Sequence, residues 1–218
     1  MAKNYYPPLE AGKVYHIYNK GINGENLFRS DENYKHFLKL YNHHCSCVVE
    51  TYAYCLLGNH FHLLVRVKEI LPTYGDLYPE FSKDKANKKV LKTVEPSRQF
   101  AHFFTAYAQG FNKYFSPIRT GSLFQSPFKR LVVESDSYFS NLVSYIHRNP
   151  QKHGFVEDFK TYPYSSYHSH LSDKITRLDR KEVLEWFGNR EEYIKFQNEE
   201  LDESLIEDWI IEEDDDFL

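Results

Sequence analysis

Two histidines separated by one residue lie in the run NHFHLLV, which begins at Asn59. If this run forms a strand, His60 and His62 project from the same face, because successive side chains of a strand point to opposite faces. Imidazole is a common ligand of first-row divalent metals, so the two rings could bind one ion. The spacing alone favours two structural or surface histidines, and a metal site therefore needs a second observation.

A tyrosine and an asparagine one helical turn apart form the second candidate group. Apolar side chains in 135–149 recur at intervals of three and four residues, which predicts an amphipathic helix; they are Phe139, Leu142, Val143 and Ile146. Tyr145 lies beside this stripe, so its ring could be anchored there while its hydroxyl stays exposed. The amide oxygen of Asn149 could complete a site with two histidines. An ordinary half-buried tyrosine and a helix end remain the alternative.

The rest of the pattern predicts the elements that must position these side chains. In the first half of the chain we expect a strand over Val14–Lys20, a helix that begins at Ser30 and Asp31, and a hairpin of two strands, Val48–Leu57 and His60–Val67. In the second half we expect a helix over 97–115, a strand over 123–133, a helix over 135–149 ended by Pro150, a loop over 158–171 and a helix over 180–198. This order predicts a ferredoxin-like α+β architecture, an antiparallel or mixed sheet with helices on one face.

The composition restricts the class of protein. The chain has 218 residues, of which 41% are hydrophobic and 27% charged, as in a globular protein. No signal peptide and no run of about 18 apolar residues are visible, so we expect a cytoplasmic protein with no membrane partner. Three cysteines form no paired framework and are expected to be reduced thiols. The 18 Tyr and 17 Phe favour core packing, with stacking on unpaired bases as the alternative.

Acidic residues are concentrated near the C-terminal end. Residues 199–218 contain eleven Asp and Glu and no Lys or Arg, which leaves 27 basic and 20 acidic residues in 1–198, a net charge of +7. Such a body suits a polyanionic partner. The acidic tail is either a disordered solubilising segment or one that competes with this partner. We predict a main domain over 1–170 with a charged insertion at 69–96, a helical extension over 171–198 and the tail over 199–218.

Several linked motifs resemble one known family. They are HFH at 60–62, YIHRNP at 145–150, KHGFV at 152–156, YHIYNKG at 15–21 and YPYSSY at 162–167. Together they resemble the HUH single-tyrosine transposases, and most of all the REP-associated tyrosine transposases, over about three-quarters of the chain. The resemblance implies an HUH endonuclease fold, in which an antiparallel sheet carries the histidines on a central strand and a packed helix carries the tyrosine.

The resemblance also implies roles for individual residues. His60 and His62 match the metal-binding histidines, Tyr145 matches the nucleophile, and Asn149 matches a polar residue that helps to hold Mg²⁺ or Mn²⁺. The implied substrate is single-stranded or hairpin DNA, and relatives include both homodimers and monomers. Lys20 matches a region associated with DNA binding, although many relatives have arginine there. The insertion and the acidic tail depart from compact members of the family, which leaves DNA specificity open.

The implied reaction is DNA transposition. A metal-dependent endonuclease and strand transferase would cut DNA through a 5′-phosphotyrosine and then rejoin strands. Candidate DNA contacts are basic side chains and one aromatic ring: Lys20, Lys113, Lys129, Arg130, Arg148 and Tyr18. For each of them, a plain surface charge or a packing aromatic is the favoured alternative. His147, two residues after Tyr145, points to the far side of the helix and is expected to be structural or DNA-facing.

Two other functions remain open at this stage. The same site would serve a replication initiator, a relaxase or a domesticated nuclease that cuts without transposing. A non-catalytic DNA or metal binder is the second alternative, since the run HHCSC at 43–47 could bind a soft ion such as Zn²⁺. The spacing of that run differs from that of a usual zinc finger.

Overall fold

Four strands form one antiparallel sheet in the order β2-β3-β1-β4 in the computed structural model, which describes residues 5–80, 88–115, 119–199 and 201. The strands are β1 Val14–Lys20, β2 Val49–Leu56, β3 His60–Val67 and β4 Lys129–Val133. The helices are α1 Asp31–Cys45, α2 Tyr74–Leu77, α3 Pro96–Tyr114, α4 Asp136–Lys152, α5 Tyr167–Leu171, α6 Arg180–Trp186 and α7 Arg190–Asn198. The order β1-α1-β2-β3-α3-β4 confirms the predicted ferredoxin-like α+β architecture.

Helices cover both faces of the sheet, so the expectation of helices on one face was wrong. Phe61, Leu63 and Val65 of β3 pack into a cluster with α1 and α3. Leu64, between them, packs into a second cluster with α4 and the C-terminal helices. The reason is visible in β3 itself, where Leu63, Leu64 and Val65 are all fully buried and therefore need an apolar layer on each side.

Two element boundaries in the second half of the chain differ from the prediction. Helix α4 continues two residues beyond Pro150, because a proline in the last turn removes only one N–H and the backbone N–H of His153 still donates to the Asn149 carbonyl. Strand β4 begins at Lys129 rather than at 123. The segment before it contains Pro127, which cannot donate to a strand, and forms an isolated bridge between Phe124 and Gly21, just after the end of β1.

The region after α4 contains more regular structure than expected. The predicted loop over 158–171 holds a 3-10 turn at Phe159–Thr161 and the helix α5. The predicted helix over 180–198 is two helices, α6 and α7, separated at Gly188, whose φ of 94° suits glycine. Val183 of α6 and Tyr193 of α7 are fully buried against the α4 side of the sheet.

Some predictions concern residues outside the described part of the chain. They are the tail after residue 201 and the centre of the insertion, residues 81–87. The described ends of the insertion hold α2 and a short 3-10 turn at Lys88–Leu91, joined by a bridge between Thr73 and Thr93. Among the described helices, none has the length and apolar character needed to cross a membrane.

The packing of α5 predicts a dependence of stability on pH. His170 is fully buried, and this burial lowers the pKa of its imidazole to about 4. In the unfolded chain its pKa is about 6.5, so the unfolded state binds the proton first as the pH falls. We expect the free energy of unfolding to decrease as the pH falls from 6.5 to 4. The variant His170→Phe should show a smaller decrease over this range. Urea denaturation across this range measures it.

His168, which is exposed on the same helix, provides the matched control. The variant His168→Gln should keep the wild-type slope. An unchanged slope in folded His170→Phe protein would contradict the assignment.

Candidate active site

The face of the sheet under α4 carries the candidate histidines. Strand β3 lies between β1 and β2, and His62 is paired with Tyr18 on one side and with Cys55 on the other. Alternation along β3 directs Phe61 to the opposite layer, where its ring lies 5.0 Å from the ring of Phe37. His60 and His62 therefore share one face of a central strand, as their spacing predicts.

Hydrogen bonds hold both imidazoles by the same ring nitrogen. His60 Nδ1 lies 2.8 Å from Asn59 Oδ1, and His62 Nδ1 lies 3.0 Å from His16 Nε2. The two ring centroids of His60 and His62 are 5.3 Å apart, and the rings are nearly perpendicular. The Nε2 atom is consequently the one left on each ring to bind a ligand. His62 Nε2 is buried and has no hydrogen-bond partner among the described residues.

Burial keeps these imidazoles neutral. It lowers the pKa of His60 to about 3 and holds the pKa of His62 well below its usual value, with smaller contributions from neighbouring positive groups. A neutral imidazole presents a lone pair, which is the form that binds a metal ion.

Tyr145 faces the histidines from α4. Its ring centroid lies 5.8 Å from that of His62, with the two rings nearly perpendicular. The Tyr145 side chain is only 2% exposed, so it is more buried than its predicted position beside the apolar stripe of the helix suggested. The ammonium of Lys152, two turns later on α4, lies 5.5 Å from the centre of the Tyr145 ring. Helix packing thus brings a phenol, a pair of imidazoles and a cation into one place.

Tyr145 and the two histidines line an open cavity of about 540 Å³. Its wall combines the aromatic, imidazole and basic side chains of four elements: Tyr18, Lys20, His60, His62, Lys129, Tyr145 and His153. The ring of His153, directly after α4, lies 5.2 Å from the ring of His60. A cavity of this size, lined by neutral ligands and flanked by lysines, can accept a phosphate group together with a cation.

Asn149 lies behind the cavity rather than in its wall. It is fully buried one turn after Tyr145, and its Nδ2 donates to the Tyr145 carbonyl oxygen at 2.8 Å. Its Oδ1 is buried and has no partner in the described part of the chain. The structure therefore brings Asn149 next to the tyrosine, while the cavity wall is formed by other residues.

The donor set around Tyr145 fits a divalent cation. Three buried polar atoms there lack a hydrogen-bond partner among the described residues: Tyr18 Oη, His62 Nε2 and Asn149 Oδ1. Unpaired buried polar atoms are costly, and a bound ion with its waters would satisfy such atoms. Neutral nitrogen and oxygen ligands suit Mn²⁺ and its first-row neighbours, and Mg²⁺ prefers oxygen.

Neither of two other groups of ligand-type residues forms a better centre. The described Glu50, Asp179 and Glu182 place their oxygens within 4.8 Å of one another. The Arg66 guanidinium binds both glutamates, with Nε 2.8 Å from Glu50 and Nη1 2.7 Å from Glu182, so we assign the group to ion pairing. Within the described residues, the run at 43–47 does not gather into a metal-binding group, since Cys45 is buried in the core.

The six predicted DNA-contact residues separate into two groups. Tyr18, Lys20 and Lys129 line the cavity. Three others lie outside the cavity wall, because their helices or strands direct the side chains away from it: Lys113, Arg130 and Arg148. Lys113 belongs to α3, on the far layer of the sheet. Arg148 donates to the carbonyl oxygens of Gln197 and Glu199 behind α4.

Arg130 and Lys129 differ through strand alternation. Lys129 is paired with Tyr18 on β1 and shares its face, whereas Arg130 points to the other layer. The Arg130 guanidinium lies 4.8 Å from the Phe128 ring and its Nε donates to the Pro7 carbonyl oxygen. This arginine therefore holds the N-terminal segment against the sheet.

His147 is structural, which is one of the two roles expected for it. It is fully buried, and its Nε2 lies 2.8 Å from Ser166 Oγ while its Nδ1 lies 3.3 Å from Gln197 Oε1. These contacts fasten α4 to α5 and α7.

Sequence reasoning missed four residues of the site: His16, Asn59, Lys152 and His153. His16 carried a usable signal, because it lies two residues before Tyr18 on β1 and so shares the face of the candidate histidines once β1 is paired with β3. The contacts of Asn59 and His153 depend on loop conformations that no spacing encodes.

Comparison with known proteins defines the class first. A solved structure of a REP-associated tyrosine transposase bound to a REP hairpin superimposes with a TM-score of 0.55, at 15% identity, and covers 79% of this chain and 87% of that one. The chain therefore shares the fold of that transposase. No family model matches the sequence.

A relative in sequence then identifies the family. A REP-associated tyrosine transposase of Haemophilus influenzae is 31% identical over 146 residues, which are 67% of this chain and 71% of the relative. The chain belongs to the REP-associated tyrosine transposases. It is accordingly an enzyme with a tyrosine nucleophile, of a family that is generally metal-dependent.

Proposed function

We propose that this chain cuts and rejoins single-stranded DNA at a hairpin, with Tyr145 as the nucleophile and His60, His62 and Asn149 as the ligands of Mg²⁺ or Mn²⁺. The observation that carries the proposal is the 5.8 Å approach of the Tyr145 ring to the His62 ring at a shared cavity. The phenol reaches this cavity from α4 and the imidazole from β3. Helix α4 also carries Lys152, which lies beside the Tyr145 ring.

His60, His62 and Asn149 would hold the divalent cation. When bound, such an ion would supply positive charge beside the scissile phosphate, where negative charge develops as the phosphoryl group transfers. The chain itself supplies the ligands as neutral imidazoles, since burial keeps both of them deprotonated at neutral pH. Asn149 adds an uncharged oxygen, so the ligand set leaves the charge of the ion undiminished.

Tyr145 performs the bond exchange. Its phenol oxygen bonds to phosphorus, the bond from phosphorus to the 3′ oxygen breaks, and the strand leaves as a 3′-hydroxyl that takes up a proton. A phenol has a pKa near 10 and must lose its proton in this step. The Lys152 ammonium at 5.5 Å from the ring centre favours the phenolate by its charge. The resulting phosphotyrosine retains the phosphoester bond, so another 3′-hydroxyl can reverse the step.

The expected substrate is a hairpin with unpaired flanking bases. The solved relative is bound to a REP hairpin, and we extend that class of ligand to this chain. Lys20 and Lys129 both line the cavity, Lys20 from β1 and Lys129 from β4 as the cross-strand partner of Tyr18, and both can contact DNA phosphates there. Tyr18 is 4% exposed, so it forms the floor of the cavity and offers little area for base stacking. A cellular DNA substrate also implies a cytoplasmic enzyme.

Removal of the nucleophilic oxygen tests the proposal. We expect Tyr145→Phe to abolish the covalent protein–DNA adduct while it leaves hairpin binding within about twofold, since the phenol contributes to bond exchange and little to binding. The measurement is a denaturing gel with labelled single-stranded hairpin oligonucleotides and Mn²⁺.

Tyr138, the second tyrosine of α4, gives the control variant Tyr138→Phe. An adduct formed by Tyr145→Phe, or lost equally in Tyr138→Phe, would contradict the assignment of the nucleophile. Sequencing of joined strands separates a transposase from a nuclease that only cuts.

Two neighbouring basic residues provide a matched test of the DNA surface. Lys129→Ala should weaken hairpin binding about three- to tenfold and lower the salt slope by about one unit, because one phosphate contact is lost. Arg130→Ala should keep the hairpin affinity and reduce stability, because this side chain faces the other layer and holds the N-terminal segment. Binding titrations at several salt concentrations measure both. Equal losses of affinity would refute the assigned face.

A further inference from the structure

A second histidine pair lies beneath the candidate metal site. His16 of β1 is fully buried, and its Nε2 lies 3.0 Å from Nδ1 of His62. The ring centroids are 5.2 Å apart and the ring planes differ by 21°, so the two rings meet edge to edge, as a hydrogen bond between ring nitrogens requires. The β1–β3 register explains the approach, because Tyr18 lies directly opposite His62 and His16 is its diagonal neighbour on the same face.

The proton in this hydrogen bond decides which atom of His62 can bind a cation. Two neutral imidazoles share two N–H groups among four nitrogens. If His62 Nδ1 donates to His16 Nε2, then His62 Nε2 keeps its lone pair. If His16 Nε2 donates instead, the proton of His62 must lie on Nε2, and that atom cannot be a ligand. His62 Nε2 can therefore bind a cation only when His62, and not His16, is the donor in this hydrogen bond.

We propose that His16 is the positioning residue of the metal site, which accepts the Nδ1–H of His62 and thereby presents His62 Nε2 to the cation. The proposal deepens the function given above and rests on it. It accounts for one buried atom that lacks a partner among the described residues, His62 Nε2, which becomes the ligand atom. His16 then holds its own N–H on Nδ1, because its Nε2 accepts.

The hydrogen bond that holds His60 differs in kind from the one between His16 and His62. The Nδ1 of His60 is held by Asn59 Oδ1, an amide oxygen that can only accept, so its Nε2 is always a lone pair. An imidazole can accept or donate. The His16–His62 pair consequently has two proton arrangements, and a cation at His62 Nε2 selects one of them. The lone pair on His60 Nε2 is thus fixed by Asn59, whereas the lone pair on His62 Nε2 is selected when the ion binds.

Cation affinity of the DNA-free protein tests the proposal. His16→Leu fills the position with an apolar side chain that cannot accept, and we expect it to weaken Mn²⁺ binding about 10- to 100-fold, as loss of a partner of a ligating histidine does. His16→Gln restores a carbonyl acceptor and should bind Mn²⁺ within a few-fold of wild type. His170→Phe, a buried histidine far from the cavity wall, should bind as wild type does. Calorimetric titration with Mn²⁺ measures all three.

The possible results have distinct meanings. Equal affinity of folded His16→Leu and wild type, with binding lost in His62→Ala, would overturn the positioning role and leave the proposed function intact. Equal affinity of His62→Ala and wild type would overturn the metal site and the positioning role together. If His16→Leu does not fold, nitrogen NMR of the wild type decides: with Mg²⁺ bound, His62 should carry its proton on Nδ1, and a proton on Nε2 would overturn the proposal.

Discussion

The pairing register between β1 and β3 is the constraint on which the site depends. It sets Tyr18 opposite His62 and places His16 within hydrogen-bond distance of the same ring. A shift of one residue would turn His60 and His62 toward α1 and α3, away from Tyr145. The apolar side chains that alternate with the histidines resist such a shift, because Phe61 and Leu63 would leave the core for a polar cavity. Core packing and ligand placement are therefore specified by the same residues.

Burial on both sides of the sheet has a chemical consequence. It lowers the pKa values of His16, His60 and His62 and so keeps their imidazoles neutral. The cost is a set of buried polar atoms without partners in the described structure, each worth about 1–3 kcal/mol of stability. A cation that satisfies several of them would stabilise the folded state. Ligand binding and stability are linked through this cost.

Helix α4 connects the site to the C-terminal helices. One side of it carries Tyr145, and another side carries His147, which is hydrogen-bonded to Ser166 and near Gln197. Arg148 binds the carbonyl oxygens at the end of α7. Tyr145, the proposed nucleophile, is thus held by a helix that is itself fixed from behind, which reduces the freedom of the phenol before substrate arrives.

Much of the fold follows from local sequence patterns, whereas the site depends on contacts between distant segments. Strands β1 and β3 and helix α4 were predicted because their apolar spacing is regular. The second helical layer was missed although consecutive apolar residues at 63–65 indicated it. Asn149 was correctly placed one turn from Tyr145, yet its position behind the cavity follows from the depth at which α4 packs. The roles of Lys129 and Arg130 could be separated only after the partner of β4 was known.

The convergence of imidazole and phenol around one ion can be tested directly by crystallography. Crystals of the protein soaked in Mn²⁺ should show a single strong anomalous peak within coordination distance of His60 Nε2 and His62 Nε2, adjacent to Tyr145. A peak at the acidic group of Glu50, Asp179 and Glu182 instead, with none beside the histidines, would contradict the account.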